Sequence, residues 1–203
     1  MNSKLLKGLF ILLCSMGSCN SDSSSLGTSQ EIFDFITNEE NGFIRVKSIG
    51  NFEVELTALP LEYKFAKDND GLSLKEFRKK YQNSLNFIMK IKPNENRKYK
   101  GDVSLDQIQN WQQYEQRLKS LNFDLKNHME LVATNGETVN PVLVNFENYY
   151  GSNRDCVFSI AFAVEDISTF EPYTFVYHDD QYSLGSVRFK FTKSDFREAK
   201  FRL

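Results

Sequence analysis

From residue 128 onward the chain repeats one pattern. Short runs rich in β-branched and aromatic residues, HMELVAT, TVNPVLVNF, CVFSIAFAV, YTFVYH, SVRFKFT and AKFRL, follow one another with turn residues between them. Val187, Phe189 and Phe191 alternate with Arg188 and Lys190, the period of a strand with one buried face. Asn135-Gly136, between the first two runs, has the chemistry of a tight hairpin turn. The same signal stands earlier in FIRVKSIGNFEVELTAL, where Phe52, Val54 and Leu56 alternate with Glu53, Glu55 and Thr57 after Gly50-Asn51. A chain written this way folds around an antiparallel sheet.

Two stretches carry helical spacing instead. Ser73-Leu74-Lys75-Glu76 has the form of a capping box, and Leu74, Phe77, Tyr81 and Leu85 follow it. That predicts a helix over about 73–84, with LNFIMKI as the next strand. Ser104 and Gln107 form a second such box. Leu105, Ile108, Trp111, Tyr114 or Glu115, Leu118 and Leu121 then predict an amphipathic helix of about five turns, with Trp111 in the core. Leu61, Tyr63 and Phe65 alternate after Pro60, and DNDG at 68–71 reads as a loop. The expected class is α+β: mainly an antiparallel β-sheet or sandwich with two amphipathic helices. No internal repeat or second boundary interrupts it, so 30–203 reads as a single globular domain. With 18 Phe and 9 Tyr, a substantial core is available without staples. Beyond Cys14 and Cys19 the chain has only Cys156, so a disulfide within the body is excluded. Cys156 sits in an apolar run and reads as a buried inert thiol rather than a reactive one.

The N-terminus reads as an address. Lys4 and Lys7 precede a mostly apolar run, Gly8 to Met16, that is too short to span a bilayer. Met16-Gly17-Ser18-Cys19 has the lipobox layout: an aliphatic residue, two small residues, then the cysteine that accepts diacylglycerol. Bulky Leu12 and Leu13 make Cys14 a poor competitor. The expectation is a lipoprotein signal peptide over 1–18, lipidation at Cys19 and a flexible Ser-rich tether over 19–29. Several acyl chains on one cysteine anchor firmly, because each buried methylene contributes roughly 0.8 kcal/mol. Removing Lys4 and Lys7 takes the formal net charge from −2 to −4. That gives no general attraction to nucleic acid.

Catalytic signatures are absent. The sequence has no G-x-S-x-G elbow, no H-E-x-x-H and no phosphate-binding G-x-x-x-x-G-K-[ST], so no catalytic residue, cofactor or metal is assigned. Two histidines occur. His178 stands beside Asp179 and Asp180, a grouping that suits a metal or a general base in principle, though three adjacent residues rarely converge on one ion. His128 shows no relation to them in the sequence. Asp68-Asn69-Asp70-Gly71 is similar to a calcium loop, but Gly71 comes too early and Lys79 stands at the bidentate glutamate position. Tyr149-Tyr150-Gly151 offers either a stacking platform or strand-end packing. From Lys64 to Lys100 eleven Lys or Arg stand against four acids, a net +7. Lys75, Arg78 and Lys79 share one helix side, and Lys92, Arg97, Lys98 and Lys100 lie on or near the following loop. Such a segment is a solvated face or a basic surface for lipid phosphates.

SCNSDSSS near the start, ALPLEYKFAKD followed by a helix and LNFIMKI, and the end SLGSVRFKFTKSDFREAKFRL together resemble small uncharacterised envelope lipoproteins of the Bacteroidota type. The resemblance implies export and a lipid anchor at the outer membrane, on its periplasmic or surface face. It brings no activity. The expected function is that of an envelope-anchored binding or accessory module with an unknown protein or ligand partner, no nucleic acid and no evident catalytic site. The alternative is a hydrolase with an unrecognised active site. A pocket with a perturbed acid or nucleophile near either histidine would favour the enzyme. A flat apolar patch would favour binding.

Overall fold

The computed structural model describes residues 27–68, 71–94, 101–147, 154–198 and residue 202. Its elements run α1 Ser29–Thr37, β1 Ile44–Ile49, β2 Phe52–Leu59, α2 Leu61–Lys67, α3 Leu74–Tyr81, β3 Ser84–Pro93, α4 Trp111–Lys119, β4 Met129–Ala133, β5 Thr138–Val139, β6 Leu143–Glu147, β7 Cys156–Ala163, α5 Ile167–Phe170, β8 Tyr173–His178 and β9 Ser186–Phe191. The strands form two antiparallel sheets, ordered β1-β2-β3-β7-β6 and β5-β4-β8-β9. The fold is α+β, as the sequence pattern requires.

The alternation read in the sequence sets which face meets the core. Val54 and Leu56 of β2, Phe87, Met89 and Ile91 of β3, and Phe158, Ile160 and Phe162 of β7 are buried in one cluster. Leu131 of β4, Phe175 and Tyr177 of β8, and Val187, Phe189 and Phe191 of β9 belong to the same cluster. This is a two-sheet sandwich closed by inward side chains. Phe87 stands among Phe162 (5.9 Å), Tyr173 (6.1 Å), Phe175 (5.6 Å) and Phe191 (5.9 Å). A smaller cluster joins Ile32 and Ile36 of α1 to Phe43, with Leu59, Tyr63, Ala66 and Phe196 packed against it.

Both hairpins form at the expected turns, with Gly50 at φ +57° and Gly136 at φ +86°. The Ser73–Glu76 capping box forms and starts α3. Leu85, which also falls at helical spacing, is the first inward residue of β3, in line with LNFIMKI as the next strand.

Four expectations are corrected. The ordered body starts before residue 30: Thr28 and Glu31 form a reciprocal capping box that begins α1, so the last residues assigned to the tether belong to the domain. The stretch after Pro60 is helix rather than strand. Pro60 stands at the N-cap of α2 with φ −66°, Glu62 lies in the first turn and Lys64 and Lys67 in the last, a charge order that suits the helix dipole. As a helix it brings Tyr63 and Ala66 to the small cluster.

The helix expected from Ser104 starts later. Asp102 caps a short 3-10 turn at Val103–Leu105, and Gln107 takes a left-handed φ of +59°. Asn110 then caps α4, accepting from the Gln113 amide at 3.0 Å, while the Gln113 side chain accepts from the Gln109 amide at 2.8 Å. A π turn at Ser120–Asp124 and a 3-10 turn at Leu125–His128 carry Leu121 and Leu125 into the core. Trp111, the first residue of α4, is therefore not core: it is 69% exposed and packs on Tyr114 at 5.4 Å. Finally, TVNPVLVNF is two strands. Pro141, which lacks an N–H, separates β5 in one sheet from β6 in the other. Cys19, the signal and tether residues before 27, Asn69-Asp70, Arg97, Lys98, Lys100, Tyr149-Tyr150-Gly151 and most of AKFRL lie outside the described residues.

Candidate functional site

The two histidines, 50 residues apart in sequence, meet because β4 pairs with β8 and sets Met129 opposite Tyr177. His128 Nδ1 lies 3.2 Å from the His178 carbonyl oxygen, and His128 Nε2 lies 3.7 Å from Asp180 Oδ2. His178 Nε2 lies 3.3 Å from Glu130 Oε1, and its Nδ1 lies 2.9 Å from Ser186 Oγ. Neither Glu130 nor Ser186 was singled out by the sequence. Both stand beside His178 only through sheet pairing, with His178 directly opposite Ser186.

Asp179 does not join this group. Its carboxylate accepts from the Tyr177 hydroxyl at 2.8 Å and from the amides of Gln181, Tyr182 and Leu184 at 3.1, 2.9 and 2.8 Å. It fastens the β8–β9 loop, so the His-Asp-Asp run splits its roles. Among the described residues, no group of three or more His, Cys, Asp or Glu is placed to hold a metal ion. Asp68 caps α2 and Gly71 is a turn residue at φ +72°.

On the outward face of β2 and β3 lies a charged row. Glu53 is opposite Lys92 and Glu55 is opposite Lys90. Glu55 is buried and accepts from Lys90 Nζ at 3.0 Å and also from Lys92 Nζ, which lies 3.5 Å from Glu53. Burial pushes the Glu55 carboxyl up, but the Lys92 and Lys90 hydrogen bonds and charges outweigh it and hold it below its ordinary value. Burial pulls Lys92 down, and Glu55 and Glu53 more than offset it. Asp155 is pushed up, chiefly by burial. Arg78 pairs with Glu62 at 2.7 Å, and Lys64 and Lys80 lie over the Tyr81 ring at 4.5 and 5.0 Å. Much of the basic excess between Lys64 and Lys92 is thus matched within the fold, while Lys75 and Lys79 stay exposed.

Cys156 is fully buried, its Sγ 3.3 Å from the Tyr182 hydroxyl. Burial pushes its thiol up to about 12, so it stays protonated and unreactive at neutral pH. Arg117 of α4 lies over the Tyr182 ring at 4.8 Å and donates to the Gln181 carbonyl at 3.3 Å.

The exposed apolar side chains are distributed unevenly. Phe123, in the π turn after α4, is 68% exposed, and Val142 and Leu143 at the start of β6 are 68% and 56% exposed. The π turn packs beside β6. Among the described residues, β6 ends its sheet and has a strand neighbour, β7, on one side only. Apolar side chains and the outer edge of a strand therefore lie close together.

No family model matches the chain, and no curated protein matches it significantly. One similar solved structure is a novel protein of unknown function from Burkholderia pseudomallei K96243, 12% identical, covering 79% of this chain and 84% of that chain with a TM-score of 0.36. That likeness is too distant to transfer fold or function. Among the described residues, no helix is long and apolar enough to cross a membrane.

Proposed function

We propose that this chain is an envelope-anchored lipoprotein, held by lipid on Cys19, whose folded body is a binding or accessory module for a partner protein. The observation that supports the binding reading is the apolar group Phe123, Val142 and Leu143 beside the outer edge of β6. Water-exposed side chains of this size, grouped at a strand edge, are characteristic of surfaces that other proteins cover. The anchor rests on the Met16-Gly17-Ser18-Cys19 layout.

The test has two arms. In cells fed a labelled fatty acid, wild type takes up label and Cys19→Ser does not; equal label on both removes the lipoprotein reading. A photocrosslinking residue at position 143 gives a discrete adduct that Phe123→Asp abolishes, while one at exposed Lys75 gives none. The same adducts from both positions, or none from position 143, remove the binding reading.

A second reading has one observation behind it. Ser186 Oγ, His178 and Glu130 stand in the order of nucleophile, base and acid. All three are on the outer side of β4, β8 and β9, and the serine and histidine are solvent-exposed, without the water exclusion that such chemistry exploits. Reaction of Ser186 with a fluorophosphonate, lost in His178→Ala, would put the hydrolase first.

A further inference from the structure

The seam between the two apolar clusters holds a cavity of about 170 Å³, lined by Phe43, Leu59, Leu85, Phe87, Tyr173 and Phe196 among others. Phe43 and Phe196, with ring centroids 4.8 Å apart, also line an open bay of about 900 Å³, so they form the mouth of this throat. The mouth is built by a close backbone approach. Gly42, at φ +80°, lies under the Asp195 carbonyl, where a Cβ would come within 1.8 Å of the oxygen. Arg45 pairs with Asp195 at 3.1 Å, and the Arg197 amide donates to the Asn41 carbonyl at 3.0 Å. The C-terminal segment is thereby pinned with Phe196 on Phe43.

One wall carries a polar handle. Tyr173 is 3% exposed, and among the described residues no hydrogen bond to its hydroxyl is formed. The hydroxyl is not sealed from solvent, so it is open to a partner that enters beside it. Burial, and then the nearby Glu171 charge, push its pKa well up, so the hydroxyl keeps its proton. Asn86, whose side-chain amide donates to Ser84 Oγ at 3.0 Å, also lines the throat, and Ala58, Pro60 and the other residues named above make the rest of the wall aliphatic or aromatic. Glu171 also borders the throat, which disfavours an anion there.

We propose that this throat is a binding site for one neutral aryl group bearing a single oxygen, a phenol-like moiety whose oxygen meets the Tyr173 hydroxyl. Size, wall chemistry and the polar handle agree on this class. An apolar protein cavity of about 150 Å³ accepts a benzene ring. Small-molecule sites are apolar concavities with a few placed polar groups. The ring joins a run of aromatic contacts already present, from Phe43 through Phe196 and Phe191 to Tyr173.

The test is titration of the purified protein with phenol and, separately, benzene at millimolar concentration, followed by amide chemical shifts. Both ligands shift residues of the throat saturably and compete with each other. Tyr173→Phe keeps the ring and its packing but removes the hydroxyl. It weakens phenol about five- to tenfold, the worth of one hydrogen bond, and leaves benzene unchanged. Scattered, non-saturating shifts with wild type overturn the site. Equal weakening of benzene and phenol by Tyr173→Phe overturns the assigned role of the hydroxyl.

Discussion

Replacing Glu55 with glutamine tests whether the charged row on the outer sheet face stabilises the fold. The substitution keeps the shape, turns one of the two acceptor oxygens into an N–H donor and removes one charge. In the wild type the Glu55 side chain, 7% exposed, accepts from Lys90 and Lys92, whose side chains are 26% and 28% exposed. A hydrogen bond to a charged group contributes about 1.5–3 kcal/mol, and the wet lysine ends screen part of that. The neutral amide of Glu55→Gln retains weaker acceptor bonds, so the expected loss at pH 7 is about 2 kcal/mol, or about 4–8 °C in Tm for a chain of this size. The carboxyl is held below its ordinary value, so its contribution is complete above the unfolded glutamate pKa of about 4.3 and fades as pH falls through the lowered value. Lys90, Lys92, Glu53 and Asp155 face the same carboxylate and stay in place in both proteins. Urea unfolding at pH 7 and at successively lower pH therefore gives a wild-type advantage that is largest at pH 7 and shrinks in acid. An advantage that persists unchanged in acid, or no advantage at pH 7, would refute the electrostatic account.

Gly42→Ala drives a Cβ into the Asp195 carbonyl and adds left-handed strain, for about 3–5 kcal/mol. Gly50→Ala and Gly136→Ala meet nothing within 4 Å and lose only about 1–2 kcal/mol each. Thermal melting ranks the three, and equal losses would contradict the close approach. Native Cys156 resists alkylation at pH 8 and reacts only on unfolding, since its thiol sits at about 12 beneath a closed core. Fast labelling of the folded protein would show that the core opens there. Melting with and without reductant gives the same midpoint, because Cys156 is the only cysteine of the body; a large loss on reduction would reveal an intermolecular bridge.

What the sequence made legible was local. Strand alternation and turn chemistry reported β1–β2, β4, β7, β8 and β9, because a half-buried face writes period two into adjacent residues. The Ser73–Glu76 box reported α3 because its reciprocal bonds join residues three apart. Failures came where local signals competed. Thr28-Ser29-Gln30-Glu31 carries the same capping signature as Ser73–Glu76, but its place at the end of a serine tract hid it. Ser104 and Gln107 carry a signature too, and lost to Asp102 and Asn110, whose side chains cap the actual turns. Leu61, Tyr63 and Phe65 alternate by coincidence, and the helix prevails there because it packs Tyr63 and Ala66, partly buried, against α1 and its neighbours.

The sites were hidden for a different reason. Glu55 and Lys90 lie 35 residues apart, and only the β2–β3 register makes them partners. From composition, Lys90 and Lys92 are part of a basic run; in the fold they are counter-ions. His128 and His178 have no relation in sequence and become neighbours through β4–β8 pairing. The throat has no local signal at all, since its walls come from β2, β3, β8, the segment before β1 and the segment after β9. Gly42 is the one residue that could have pointed to it, because a close approach of backbone is one of the reasons a position takes glycine. Which backbone approaches is decided at the far end of the chain, at Asp195, so the constraint is visible in the sequence while its cause is not.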